Sequence, residues 1–374
     1  MSRRHLALAA LLVAAGCDSP APDCPGVAGC PEPPGSDVVA GVDLAALFAA
    51  PTPAERDSVA ARVARTPATT AAPVVSVVTT ALPSDADATR YLRLDLRAAD
   101  GTTLAYAVAR IPAVDGGAGE PLRTILFLPE SPGDASEAGF LTGSSARGLD
   151  RTAVQIVVAF RGATLTARSP QPGAPPVRST ATAAAEPYRT DVADLLALAA
   201  RVAAVPRADP ERVVAVGAGR GGAAVLMAAE REPGRFDAVA TLGAPASLLD
   251  GTVRAAVRTL LLTRTNPSRL PDAAALFAPV LDLRDRRISP AEARLRLLEL
   301  SAVTLADRLP ALAALHAEPD DIVPTSHLDR LAERGDGPLD APRIFRRFEN
   351  ATHASLPDLD DARNTVAFFL NSRP

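Results

Sequence analysis

Short apolar runs alternate with helix-period segments along most of the chain, and their order predicts the architecture. Val74 to Thr80, Arg90 to Ala98 and Thr103 to Ile111 read as strands, the last two joined by a hairpin turn at Asp100-Gly101. Arg123 to Leu128 and Ala153 to Phe160 are further buried runs. Asp191 to Ala204 sets Val192, Leu195, Leu196, Ala199 and Val202 on one helical face, with Thr190 and Asp191 as caps. Phe236 to Leu242, Ala311 to His316 and Arg343 to Phe348 complete the strands, and Ser355 to Asn371 is a closing helix. Strands and helices alternating at this length imply an α/β protein, its sheet mostly parallel and covered on both faces.

Three segments stand outside that alternation. Val38 to Arg65 reads as mostly helical, punctuated by Pro51 and Pro53, and opens an N-terminal extension over 38–88. Thr164 to Pro187 is polar and proline-rich, a surface insertion. Leu248 to Leu309 carries helices, one starting at the capping box Ser289-Pro290-Ala291-Glu292, with proline in its first turn.

At the centre lies Glu211 to Glu230, which describes strand, tight turn and helix. Arg212 to Val216 is rich in valine, Gly217 to Gly222 is a glycine turn, and Ala223 to Ala229 favours helix. Two chemical devices share this layout. One is the nucleophile elbow, GxSxG, in which a sharp turn lifts a serine above a parallel sheet. The other is the dinucleotide fingerprint GxGxxG, matched by Gly217, Gly219 and Gly222. A turn with no chemistry is the third possibility.

The stretch resembles the elbow of α/β-hydrolases, in particular the secreted esterase and prolyl-oligopeptidase-like branches. Asp209-Pro210-Glu211-Arg212 supplies the segment that precedes the elbow there, and Arg220-Gly221-Gly222 the one that follows. The resemblance implies an α/β-hydrolase fold over 89–374, opened by an antiparallel hairpin, with a helical lid at about 248–309. It departs at the centre, where Gly219 stands in place of the nucleophilic serine. An elbow nucleophile is commonly held at positive φ, which glycine adopts freely. Serine-to-glycine exchange would keep the turn, relieve about 1 kcal/mol of strain and delete the reacting hydroxyl.

The same resemblance assigns the other roles. Oxyanion-hole amides would come from Arg220 and from the Pro129-Glu130 loop, where family members often carry His-Gly. Arg161-Gly162 also ends its strand as is frequent in the family. Asp320, opening Asp320-Asp321-Ile322-Val323-Pro324, fits the triad acid, and His353, in the loop after the last strand, fits the base. Asp321 is the alternative acid. Taken singly, an aspartate after a strand is a turn former and a loop histidine a solvated polar group.

Three functions follow. The first is a catalytically impaired hydrolase that keeps a cleft for a small-molecule ester or peptide-like ligand. The second is an active hydrolase in which His353 activates water, or Ser131 or Ser247 replaces the missing hydroxyl. The third is a dinucleotide-binding Rossmann domain, but the glycine turn lies far from the first strand, and the next strand ends Leu242-Gly243-Ala244 without an acid. The first two need no cofactor. His316, Asp320 and Asp321 match no standard metal-ligand spacing; His316 ends a strand and His327 lies on a helix.

Composition narrows the partners. A net charge of -4 argues against a nucleic-acid footprint, and the absence of lysine excludes Schiff-base chemistry. Arg3 and Arg4 precede a short apolar run, Leu6 to Ala15, which reads as an export signal. Ala14-Ala15-Gly16-Cys17 resembles the bacterial lipobox, so Cys17 is expected to be lipidated after cleavage; a plain cleaved signal is the alternative. Either places the mature chain outside the cytoplasm, the first anchored to a membrane. Asp18 to Asp37 is a Pro/Gly-rich tether, and Cys24 and Cys30 are expected to form a local disulfide there.

Overall fold

The apolar runs pair into a nine-stranded sheet in a computed structural model, which describes residues 37–65, 69–82, 89–113, 119–130, 135–136, 141, 148–167, 175–334 and 341–372. The signal, Cys17, Cys24, Cys30, most of the tether and Ser131 lie outside the described residues.

In chain order the elements begin with a two-strand ribbon, β1 (Val38–Val39) and β2 (Val42–Asp43), followed by helices α1 (Leu44–Leu47) and α2 (Pro53–Arg65). Next come β3 (Ser76–Leu82), β4 (Arg90–Arg97), β5 (Thr103–Ile111), β6 (Leu122–Leu128), β7 (Ala135–Ser136), α3 (Leu149–Thr152) and β8 (Ala153–Val158). Strands β9 (Thr164–Ala167) and β10 (Val177–Thr180) precede α4 (Arg189–Ala199), β11 (Ala208–Ala218), α5 (Gly219–Arg231) and β12 (Ala238–Leu242). Helices α6 (Gly251–Thr263), α7 (Ala273–Arg284) and α8 (Pro290–Glu299) follow, then β13 (Ala311–Ala317), α9 (Ser326–Arg334), β14 (Arg343–Phe348) and α10 (Asp360–Asn371).

The main sheet runs β14-β13-β12-β11-β6-β8-β5-β4-β3. From β14 to β8 every pairing is parallel; β8-β5, β5-β4 and β4-β3 are antiparallel. The strands alternate between two cores. Val213 and Ala215 join Leu195 and Leu226 on one face, whereas Val214 and Val216 join Val366 and Leu370 on the other. Helix α5 is buried from Gly219 through Glu230, which explains its near-unbroken run of small and apolar residues.

Two expectations need correction. The start of the extension is a ribbon, because Ala40 and Gly41 both take positive φ, 51° and 78°, the geometry of a tight two-residue hairpin that pairs the flanking valines. The proline-rich insertion, read as surface, holds paired strands: β9 and β10 pair antiparallel, and β7 adds beside β9. Its threonines alternate with Leu165 and Ala167, which are buried.

The helices expected over 248–309 are present. Ser289 Oγ accepts the Glu292 amide at 3.2 Å, with Pro290 as the first helical residue, as the capping pattern predicts. Helix α2 is clamped to α8. Arg62 forks onto Glu292 through two 2.8 Å bonds, and Arg294 reaches Glu55 at 3.0 Å.

The tightest constraint is the turn between β11 and α5, which has no linking residue. A Cβ on Gly217 would lie 2.3 Å from the Gly221 carbonyl oxygen, and one on Gly221 would lie 2.5 Å from the Leu128 and Pro129 carbonyls. Gly217→Ala is therefore expected to destabilise the fold by about 3 kcal/mol, whereas Gly251→Ala, whose Cβ meets nothing within 4 Å, should be near neutral; urea denaturation midpoints of the two variants test this.

Candidate active site

The carboxyl ends of the parallel strands bring four groups together. Residue 219 opens α5 directly after β11, with φ at 48°. Glu130 follows β6, Asp320 follows β13, and His353 lies in the loop between β14 and α10.

Asp320 is the anchor. Its side chain is fully buried, and its Oδ1 accepts the amides of Ile322 at 3.0 Å and Val323 at 2.8 Å. Its Oδ2 lies 2.7 Å from His353 Nδ1 and 3.4 Å from His316 Nε2. Burial alone would raise the Asp320 carboxyl; the bonds from His353 and the Val323 amide outweigh it and hold the group below the usual carboxylate range. Asp321 points elsewhere, pairing with Arg269 at 2.7 Å on the surface.

His353 is 4% exposed. Gly243, φ 61°, lets the imidazole pack on the end of β12: a Cβ there would lie 2.9 Å from His353 Cε1. On its far side, His353 Nε2 approaches Glu130 Oε1 at 2.9 Å, a charge contact that lacks hydrogen-bond alignment, so Nε2 is buried with no hydrogen-bond partner. Burial pulls the imidazole down, but Asp320 and Glu130 together prevail and lift its pKa to about 9. At neutral pH His353 is therefore an imidazolium between two carboxylates, the wrong state to accept a proton.

Glu130 also occupies the space in which an elbow side chain would stand. A Cβ built on Gly219 falls 2.4 Å from Glu130 Cγ and 3.1 Å from its carbonyl oxygen. The Arg220 amide, expected to face an oxyanion, donates to that carbonyl instead, at 2.9 Å. Pro129 has no N–H to offer. The oxyanion hole inferred from Arg220, Pro129 and Glu130 is thus closed in this conformation, because one residue uses both the amide and the space above the elbow.

The Arg220 side chain has a different task. It is buried, forks onto Asp191 at 2.7 and 2.8 Å, reaches Asp272 at 2.6 Å and stacks 4.4 Å from the Phe160 ring centroid. Asp191, in the first turn of α4, also accepts the Tyr188 amide at 2.8 Å. This cluster ties the start of α5 to α4 and to the start of α7, so the elbow helix cannot drift from its neighbours.

The other candidates stand apart. Ser247 is buried and gives its amide to His327 Nδ1 at 3.0 Å; no hydrogen bond joins it to His353. Burial drives His327 down to about 4, so it is neutral. His316, read as a strand-end residue, is buried beside Asp320 with its Nε2 2.7 Å from the Val323 carbonyl. Burial lowers its pKa, and a neutral ring suits its place next to a charged His353. Sequence reasoning grouped His316 with Asp320 only to discount a metal set, missed the Arg220 cluster, and placed Glu130 in the right loop without its side-chain role. A cavity of about 240 Å³ adjoins Glu130 and is lined by Phe127, Leu141, Val216, Ala218, Leu242 and Val366 among others.

No protein-family model and no curated protein matches the chain. Solved structures do. Acetyl xylan esterase 1 from Thermoanaerobacterium sp. JW/SL YS485 is 15% identical, with a TM-score of 0.57 over 87% of this chain and 95% of that one. An acetyl xylan esterase from Paenibacillus sp. R4 is 15% identical, with a TM-score of 0.53 over 85% and 92%. A puromycin-hydrolyzing peptidase of Mycobacterium tuberculosis is 17% identical, with a TM-score of 0.51 over 76% of this chain and 39% of its own. This likeness establishes the α/β-hydrolase fold, and its strand order removes the Rossmann alternative, which requires the order 3-2-1-4-5-6.

The charge array carries a pH signature. Because the folded-state pKa of His353 is raised from 6.5 to about 9, its contribution to stability is complete below about pH 6.5 and is lost as pH rises through 9. An NMR titration of the imidazole should show this pKa, and Glu130→Gln should lower it by about one unit or more.

Proposed function

From an α/β-hydrolase fold with glycine at the elbow, we propose a protein that binds an ester- or peptide-like ligand in a hydrolase cleft without hydrolysing it. One observation carries this reading. The acid–imidazole pair, Asp320 and His353, is assembled at 2.7 Å, yet the residue facing it at the elbow has no hydroxyl, and Glu130 fills the gap. In acyl transfer the imidazole must take a proton from a nucleophile poised beside it. Here its outer nitrogen meets a carboxylate, and the amide that would stabilise an oxyanion is already engaged. Loss of one triad member leaves at best about 10³–10⁴-fold acceleration over water, and here the hole is closed as well.

The likeness to acetyl xylan esterases and to a puromycin-hydrolyzing peptidase supports a ligand of acyl or peptide type. The lipobox-like Ala14-Ala15-Gly16-Cys17 supports an extracytoplasmic protein held to a bacterial membrane through an acylated Cys17, with Cys24 and Cys30 bridged in the tether.

The test is turnover of a short-chain aryl ester. The native chain should remain near background. Gly219→Ser alone should gain little, since its new Cβ would fall 2.4 Å from Glu130 Cγ. The double variant Gly219→Ser/Glu130→Gly should exceed the native rate by at least about a hundredfold, and lose the gain on His353→Gln. A fluorophosphonate should label only proteins carrying the serine substitution. Turnover by the native chain at about 1–10³ s⁻¹, an ordinary enzyme rate, would end this reading.

A further inference from the structure

We infer that the cleft is built for a carboxylate ligand, and that Glu130 is an internal stand-in for it, seated on His353 until the ligand displaces it. The inference deepens the non-hydrolytic reading and rests on it.

The argument begins with which partner of His353 can be exchanged. The groups facing the imidazole are Asp320 and His316 from the β13 end and Glu130 from the β6 end. Asp320 cannot leave: it is fully buried and holds two backbone amides besides the histidine. His316 is engaged with the Val323 carbonyl. Glu130 is the opposite case. Its side chain is 33% exposed, and its one close charge contact among the described residues is the 2.9 Å approach to His353.

That contact is an imperfect one. His353 Nε2 is buried, carries no hydrogen-bond partner, and faces a carboxylate that is close but misaligned. A buried N–H left without an aligned acceptor costs free energy that a better-placed oxygen would recover. A ligand carboxylate, free of the main-chain tether that fixes Glu130, can align on Nε2 and keep the imidazolium neutralised. Glu130, rotating outward, moves from partial to full solvation.

The adjoining cavity supplies the second half of the ligand. It is about 240 Å³, bordered by Glu130 itself, lined by Phe127, Leu141, Val216 and Leu242, and carries the paired Asp358 and Arg363, 2.5 Å apart, in its wall. A mainly apolar chamber bordered by Glu130, whose carboxylate abuts the imidazolium, fits a small monocarboxylate with a short aliphatic or aromatic tail. A cationic ligand would instead meet the imidazolium unfavourably.

The experiment titrates the full chain calorimetrically with butyrate, and with butylammonium as the control. Glu130→Ala should bind butyrate at least about tenfold more tightly than the native chain, because the internal competitor is gone. Butylammonium should gain nothing, and butyrate should raise the NMR pKa of His353 in that variant. His353→Gln added to Glu130→Ala should abolish the gain. Should Glu130→Ala fail to fold, Glu130→Gln, close in size and uncharged, still has to bind butyrate more tightly than the native chain. Folded variants with no gain for butyrate overturn the inference, as does an equal gain for butylammonium, which would mean an apolar pocket only. A gain of ester turnover by Gly219→Ser/Glu130→Gly without any gain of butyrate affinity overturns this inference alone. Ordinary turnover by the native chain overturns the reading on which it rests.

Discussion

The direct passage from β11 into α5 sets Gly219 and the Arg220 amide against Glu130. Three glycines permit it. Gly217 and Gly221 let backbone meet backbone across the turn, and Gly222 lets α5 settle against Ala244 and Thr241 at the end of β12. With side chains at those places the helix would be pushed off the sheet. Its start would then leave the reach of the β6 end, where Glu130 sits. The Arg220 guanidinium locks the arrangement from the other side, joining α5 to α4 and α7 through Asp191 and Asp272. A buried ion pair of this kind adds little net stability, but its fixed geometry selects one position for the helix.

On that frame, the chemistry is a question of which charge neutralises His353. Asp320 is held by two amides and is a permanent partner. Glu130 is one-third exposed and held by its own backbone, and the same residue accepts the Arg220 amide through its carbonyl. A single residue thus fills the space beside Gly219, meets the imidazole and engages the Arg220 amide.

The outer shell repeats the logic of clamping. The extension helix α2 is fixed to α8 by paired guanidinium–carboxylate forks, so that helix is braced from the N-terminal side. The same contact buries Val59 of α2 against Leu298 of α8 and Leu305, so the ion pairs flank a small apolar cluster.

Much of this was legible from residues alone. Thr103–Ile111 and Arg343–Phe348 are strands with the expected bounds, and the glycine turn, the Ser289 cap and the order of Gly219, Asp320 and His353 all register in local pattern. Local pattern suffices for these because backbone sterics, capping and the twofold alternation of a strand act between near neighbours. The ribbon at Val38 to Asp43 and the β9–β10 hairpin escaped it, since short strands are made by their partners. The Glu130 contacts with Gly219 and His353, the His316 neighbour of Asp320 and the Arg220 fork were decided by tertiary structure. Each joins residues far apart in the chain through the packing of separate strands and helices, and whether a side chain meets solvent, a cation or a void is a property of that packing alone.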